Sequence, residues 1–336
     1  MKHGGIRWCP HCSQPHALSA RVCPNTAKAL DAAIHRAEPD RHPLLGTVLD
    51  GKYRVERVIG RGGIGVVFEG ENVHLRRQVA IKIVADASRD EAFVRLRREA
   101  EIIAELQHPN VCDIYDLGWL DGVGPYLVTE RLRGETIAEH FRWSPRFGVA
   151  ATVQIVTQVL SALQAAHAIS IVHRDIKPQN VFLVERLGCA PVAKILDFGL
   201  AKNLSAHGRT LTRPGKMVGT PHYMAPEQLL GEQVTHLADL FAVGVLTYEM
   251  LTGKHPFAAE SRVEVQTRIL RDRPESITAQ RPRVPRSIED VVFRALAKEP
   301  LRRYANAYAM QSELRRAALP GAADEPEPTS SDTRPT

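Results

Sequence analysis

The chain has 336 residues, 44 Lys+Arg against 38 Asp+Glu, and a formal charge of +6. A hydrophobic share of 44% and a charged share of 24% are ordinary for a globular protein with one large or two smaller domains, and they exclude collagen-like and wholly disordered chains. Five cysteines, an odd and small number, argue against a secreted disulfide framework and for a reducing compartment.

Residues 1–44 are His-, Cys- and Pro-rich, with six Lys/Arg against three Asp/Glu and a short helical pattern near residues 26–36. Met1-Lys2-His3-Gly4-Gly5 leads into cysteines rather than an apolar run, so no signal peptide is expected. Cys9-Pro10-His11-Cys12 and Cys23-Pro24-Asn25-Thr26 resemble the two knuckles of a zinc ribbon, with Thr26 where a fourth thiolate would stand. Three thiolates from Cys9, Cys12 and Cys23 imply a Zn²⁺ site only if His11, His16 or a second chain completes it; a knuckle without metal is the other reading.

Residues 45–132 read as strands, for example Tyr53-Arg54-Val55-Glu56-Arg57-Val58-Ile59 with its period of two. One helical pattern, residues 89–106, interrupts them, and its arginines alternate with Glu91, Glu99 and Glu101 as on a solvated face. No Lys/Arg stripe interleaved with aromatics occurs, so a nucleic-acid surface is not expected.

Gly60-Arg61-Gly62-Gly63-Ile64-Gly65-Val66-Val67 is a G-x-G-x-x-G-x-V string. A dinucleotide fingerprint would need a helix directly after it and an acid about 20 residues on. Here a strand-like run follows, and a cation, Lys82 in Val79-Ala80-Ile81-Lys82, stands 22 residues after Gly60. The loop therefore reads as a hairpin over phosphates, where missing side chains let backbone N–H groups approach. Glu99 borders the apolar face of the next helix and is placed to meet that lysine.

Residues 148–172 carry no Asp, Glu, Lys or Arg and are long enough to cross a bilayer. Gln154, Gln158, Ser161 and Gln164 fall on one stripe, so the segment is expected to be an amphipathic helix of a soluble, cytoplasmic protein without a membrane partner. Residues 133–316 are helix-dominated. Residues 317–336, rich in Pro, Ser, Thr and acids, read as a disordered tail.

The densest chemistry is His173-Arg174-Asp175-Ile176-Lys177-Pro178-Gln179-Asn180, then Asp197-Phe198-Gly199, then Gly219-Thr220-Pro221-His222-Tyr223-Met224-Ala225-Pro226-Glu227. With the glycine string and Lys82, in this order over residues 53–316, the sequence resembles the protein kinase superfamily. Lysine two residues after Asp175, and Gly-Thr-x-x-Tyr-Met-Ala-Pro-Glu, are similar to Ser/Thr rather than tyrosine kinases. The stretch Leu49-Asp50-Gly51-Lys52-Tyr53-Arg54-Val55 is similar to the bacterial, eukaryotic-like (Hanks-type) Ser/Thr kinases.

The resemblance implies an α+β, bilobal kinase fold with a β-rich N-lobe over residues 53–132 and a helical C-lobe over 133–316. Around it stand the Cys-rich leader 1–44, with its small N-terminal Cys knuckle, and the tail 317–336. It implies transfer of the γ-phosphoryl of ATP, with Mg²⁺, to Ser/Thr hydroxyls of protein substrates, a pseudokinase scaffold being the alternative. Asp175 would accept the hydroxyl proton, Lys177 would balance phosphate charge, Thr220 would bond Asp175, and Asn180 and Asp197 would hold Mg²⁺. Lys82 would hold phosphates and be oriented by Glu99, under the glycine loop with Gly60, Gly62 and Gly65. Ile59, Val67 and Ala80 would roof the adenine above Phe182. Thr129 would be the gatekeeper in a hinge that includes Glu130 and Leu132.

Glu227 would pair with Arg303, and Asp239 would tie its helix to the catalytic loop. Arg174 implies a partner phosphate on Ser205, Thr210, Thr220 or, foremost, Thr212, with Thr220 rather reserved for its bond to Asp175, placed there by a transient homodimer acting in trans. His74, His140, His207 and His236 are expected to be structural, Cys112 and Cys189 to pack, and residues 185–191 to be a surface loop.

Overall fold

The structure is a computed structural model that describes residues 6–8, 15–17, 42–62, 65–84, 91–120, 123–186, 188–197 and 221–319. The expected helix near 26–36, the cysteines at 9, 12 and 23, His11, His207, residues 198–220 with Thr220, and the tail from 320 lie outside the described residues. The described residues divide into two units: those of 6–105 and 113–132 in the first, and those of 106–112, 133–197 and 221–319 in the second.

The first unit begins with a hairpin of β1 (Ile6–Trp8) and β2 (Pro15–Ala17), paired antiparallel with Arg7 opposite His16. Its main body is an antiparallel sheet of six strands: β3 (Val48–Leu49), β4 (Tyr53–Gly62), β5 (Gly65–Asn72), β6 (Arg77–Val84), β8 (Gly124–Glu130) and, at the far edge, β7 (Ile114–Leu120). Partners in an antiparallel ladder share a face. Val58, Phe68, Ile81 and Val128 are joined by register, and Phe68, Ile81 and Val128 are wholly buried in the core of this unit. Truncating Phe68 there costs about 3–5 kcal/mol.

Gly60, Val67, Lys82 and Leu127 are joined in the same way on the opposite face, with Ala80 and Thr129 two positions along. Helix α1, expected over 89–106, is Glu91–Glu105, and the exposed Arg97 meets Glu101 one turn on at 2.9 Å.

The second unit is mainly helical among the described residues. A capping box opens α2 (Ile137–Trp143): Thr136 Oγ1 accepts from Glu139 N at 3.1 Å, and Glu139 Oε2 accepts from Thr136 N at 2.8 Å. Helix α3 is Val149–Ala168, with Ile155, Val156, Val159, Leu160 and Leu163 buried. By length and composition it could cross a membrane, and half of its apolar window is buried inside the protein.

The polar stripe of α3 is not wholly solvent-facing. Gln158 Oε1 accepts from Asn110 Nδ2 and Ala193 N, both at 2.9 Å, and Ser161 Oγ bonds His108 Nε2 at 3.1 Å. The stripe thus docks the chain segments around Asn110 and β11 (Val192–Ile195), which pairs with β10 (Val181–Val184) and through it with β9 (Gly134–Thr136).

Helix α4 (Pro226–Leu230) is followed by α5 (Leu237–Thr252), whose Leu240, Phe241, Val243, Val245 and Leu246 are fully buried. Then come α6 (Arg262–Arg271), α7 (Ile277–Gln280), α8 (Arg286–Ala295) and α9 (Ala307–Ala317). Gln311 Nε2 of α9 donates to the Thr157 carbonyl of α3 at 2.7 Å. Residues 185 and 186 and 188–190 are exposed, as a surface loop should be. Cys189 is exposed with them and does not pack, because that loop has no core to enter; Cys112 is half-buried.

Candidate active site

The site is built from the catalytic segment outward. His173 is fully buried, and its ring works as a neutral tautomer: Nδ1 accepts from Asp175 N at 3.2 Å and Nε2 donates to the Leu196 carbonyl at 3.0 Å. Burial drives its imidazole below the usual range, against the pull of Asp239 and nearby acids. The next residues are held from α5. Asp239 is 1% exposed; its Oδ2 accepts from His173 N at 2.8 Å and from His167 Nε2 at 2.8 Å, and its Oδ1 accepts from Arg174 N at 2.7 Å. This is the tie expected of Asp239.

Arg174 has a φ of 63° and Asp197 a φ of 52°, both in the left-handed region that side chains disfavour by about 1–2 kcal/mol each. At Arg174 the strain is held by the carboxylate on its N–H and by Gln228 Nε2, which donates to its carbonyl at 3.2 Å. Asp197 follows Leu196, whose N–H donates to the Asn180 carbonyl at 2.8 Å and whose own carbonyl takes the His173 proton. The approach to Asp197 is thereby locked to the catalytic loop. Sequence reasoning missed this double role of the His173 ring, and a histidine directly before Arg-Asp was its only trace.

Lys177 Nζ lies 2.7 Å from Asp175 Oδ2. Pro178–Asn180 forms one 3₁₀ turn, which brings Asn180 back: its Nδ2 donates to the Asp175 carbonyl at 2.8 Å and to Asp175 Oδ2 at 3.1 Å. Asn180 therefore presents its carbonyl oxygen as the group that can act as a ligand. Together with the carboxylate of Asp197 this is a hard-oxygen set, which fits Mg²⁺. Among the described residues no group of three or more His, Cys, Asp or Glu could hold a metal on protein ligands alone. Phe182 sits half-buried in β10, opposite Lys194 and Thr136.

In the first unit the glycine string is a hairpin: Gly62 pairs with Gly65, Arg61 with Val66 and Gly60 with Val67. Gly65 has a φ of 153°, open to glycine and strained for other residues. Register shifts fall between Val55 and Arg57 and between Val58 and Gly60, so Glu56 and Ile59 are the two bulged residues, Ile59 the one next to the glycines. Val67, Ala80, Lys82 and Thr129 share the face away from the core, Val67 opposite Lys82 and Ala80 opposite Thr129. Glu99 stands in α1, its side chain outside the described residues.

Residues 127–132, the expected hinge, are anchored within their own unit. Glu130 N donates to the Asp113 carbonyl at 3.0 Å, and Glu130 Oε1 accepts from Asp113 N at 2.9 Å. Arg131 Nε meets Glu69 Oε2 at 2.5 Å, and Leu132 is buried.

Glu227 and Arg303 form the expected buried pair, bidentate at 2.7 and 2.8 Å, with side chains 3% and 0% exposed. Arg303 also donates to the carbonyls of Ala297, Leu237 and Lys298, so its fork is fully used. His140 and His236 are structural, as expected. His140 bonds Glu135 Oε1 at 2.9 Å and stacks on Phe147, and His236 Nε2 donates to the Ala305 carbonyl at 2.9 Å.

Comparison with known proteins gives one answer. The sequence is 39% identical to the serine/threonine-protein kinase Pkn1 of Myxococcus xanthus over 317 residues, 91% of this chain and 45% of that one. It is 38% identical to the serine/threonine-protein kinase PrkC of Bacillus subtilis over 276 residues, 82% of this chain and 42% of that one. It is 37% identical to the serine/threonine-protein kinase pkn3 of Myxococcus xanthus over 282 residues, 82% of this chain and 52% of that one. The chain thus spans about half the length of the curated relatives it matches. The family model described as the protein kinase domain matches residues 53–314, and with that match the chain belongs to the protein kinase family.

Proposed function

We propose that the chain is a serine/threonine protein kinase that transfers the γ-phosphoryl of ATP to protein hydroxyls. One observation carries the reading: Lys177 Nζ and Asn180 Nδ2 both lie within hydrogen-bonding distance of Asp175 Oδ2, on a strained loop that a buried carboxylate holds by its backbone. The serine/threonine branch rests on Lys177 and on the three named relatives.

In this mechanism Asp175 orients the incoming hydroxyl and accepts its proton as the oxygen attacks the γ-phosphorus, while the bond from that phosphorus to the β–γ bridging oxygen breaks and ADP leaves. Lys177 offsets negative charge on the phosphoryl oxygens during transfer. Asn180 and Asp197 would hold Mg²⁺, which when bound neutralises the phosphate oxygens. Lys82 would hold the phosphates, with Glu99 orienting it, and Gly60, Gly62 and Gly65 would let backbone N–H groups approach them. Ile59, Val67, Ala80, Thr129, Glu130, Leu132 and Phe182 would enclose the adenine, and Thr220 would bond Asp175. A phosphate on Thr212, added in trans by a second copy, would pair with Arg174 and order the loop. The scaffold alternative is disfavoured because no residue needed for transfer is missing.

The test is transfer from MgATP to a generic basic protein. Lys82→Met, Asp175→Asn and Asp197→Asn should each abolish it while the chain stays folded. Nucleotide binding without transfer by the unaltered chain would favour the scaffold.

For residues 1–44 the proposal is a Zn²⁺ knuckle in a cytoplasmic protein. It is supported by the pairing of Ile6–Trp8 with Pro15–Ala17, which brackets Cys9 and Cys12 between two strands. Zinc near one per chain, lost in Cys9→Ser and Cys23→Ser, is the expected result; no zinc in protein purified without chelators would refute it.

A further inference from the structure

The family model begins at residue 53, yet the sheet of the first unit does not. Residues 42–49 are built onto it by backbone and side chain. Gly46 N donates to the Val55 carbonyl at 2.8 Å, and Val55 N donates to the Thr47 carbonyl at 2.9 Å. Val48 pairs with Arg54 and Leu49 with Tyr53. The segment is also closed on itself: Leu45 N donates to the His42 carbonyl at 2.9 Å, and Thr47 Oγ1 to the Leu44 carbonyl at 2.7 Å. Gly46, at a φ of 79°, makes the turn that joins the two halves. Leu49 is buried, and Leu44 and Leu45 pack against the core around Phe68 and Ile81.

Both ends of the segment are tied to other strands. At one end the His42 ring meets Phe68 of β5 edge-on, with centroids 4.8 Å apart. His42 Nδ1 accepts from Leu44 N at 3.3 Å, so the ring is held by its own turn. Burial, and then the charge of Arg61, hold its imidazole below the usual range, so it meets Phe68 as a neutral ring. At the other end Asp50 accepts a hydrogen bond from Tyr126 Oη of β8.

The placement matters because of what lies above it. The glycine hairpin is the part of the sheet least able to fix itself: four glycines in residues 60–65, and two register shifts in the β4–β5 ladder. Val58 and Phe68 are the last core pair before that hairpin, and His42 leans on Phe68. Arg61, whose charge acts on His42, stands between Gly60 and Gly62.

We infer that residues 42–49 are a brace that positions the glycine hairpin for nucleotide binding, with His42 and Leu44 as positioning residues outside the matched kinase domain. The inference rests on reading that hairpin as the cover of ATP.

The test uses the full chain and two readouts: KM and kcat for MgATP in transfer, and the dissociation constant of MgATP measured directly. His42→Ala and Leu44→Ala should each raise KM and Kd for ATP about 5-fold, with kcat at saturating MgATP within about twofold of the parent. His42→Phe keeps the ring edge and should restore the parent KM. Thermal unfolding of each variant separates positioning from loss of fold. Unchanged KM and Kd in both alanine variants would overturn the brace, as would loss of kcat in step with loss of the folded state. Absence of transfer by the parent chain would sink the kinase reading while the ATP dissociation constants still decide the brace; a parent that binds no ATP would sink both.

Discussion

At the scale of the residue, the site depends on side chains that never meet substrate. Asp239 fills four roles with two oxygens: it accepts from His167, His173 and Arg174, and it holds a non-glycine residue at positive φ one position before Asp175. Asp239→Asn keeps the shape but turns one acceptor into a donor that faces N–H groups. It should destabilise the second unit by about 1–3 kcal/mol and lower kcat more than it raises KM for ATP. Equal changes in both constants would mean that Asp239 only supports the fold. Arg303 makes a second case, with its fork divided between Glu227 and three carbonyls. Lysine cannot reproduce that fork, so Arg303→Lys should cost about 3–5 kcal/mol in chemical unfolding.

At the scale of the element, the sequence was most legible where spacing and chemistry coincide. The period of two in Val79-Ala80-Ile81-Lys82 is enough to put Lys82 away from the core, and register joins it to Val67. Asp175, Lys177 and Asn180 lie within six positions, so a single turn brings them together. Three features were not legible. The polar stripe of α3 looks solvated by spacing alone, but Gln158 and Ser161 are spent on Asn110, Ala193 and His108, partners 35 to 53 residues away. Cys189 looks like packing material until its loop is seen to be exposed. Residues 42–49 carry no motif, and their attachment is mostly backbone bonding, which composition does not encode. Thr129, opposite Ala80 at the end of β8, gives an element-level prediction. Thr129→Gly should admit ATP analogues with bulky N6 substituents that the parent rejects. Rejection by both would mean that residues 127–132 do not line the adenine.

At the scale of the whole molecule, one buried histidine, His173, and several half-buried ones link stability to pH. His42, His108, His173, His222 and His255 all have imidazoles lowered by burial first, His255 to about 4. His255 is satisfied only as the neutral ring, donating from Nε2 to the His222 carbonyl at 2.9 Å and accepting at Nδ1 from Phe257 N at 3.1 Å. A histidine lowered on folding binds its proton more readily in the unfolded chain. Its stabilisation is therefore complete above about pH 6.5 and is lost as pH falls toward the folded value. Glu249, pushed up by burial beside Tyr223, acts in the opposite sense and only in part offsets this. Thermal unfolding should therefore shift to lower temperature between pH 7 and pH 5, with His255 alone able to contribute up to about 3 kcal/mol by pH 4. His255→Asn should flatten that slope, and a parent midpoint constant over this range would refute the linkage.

The central claim, that the assembled loop around Asp175 transfers phosphate to Ser/Thr, is tested most directly by incubating the full chain with radiolabelled MgATP and a basic protein, then identifying the labelled residues. The account predicts phosphoserine or phosphothreonine formed by the parent chain, with the rate reduced about 10²- to 10⁴-fold in Asp175→Asn. Label on tyrosine alone, or equal transfer by the parent and Asp175→Asn, would contradict it.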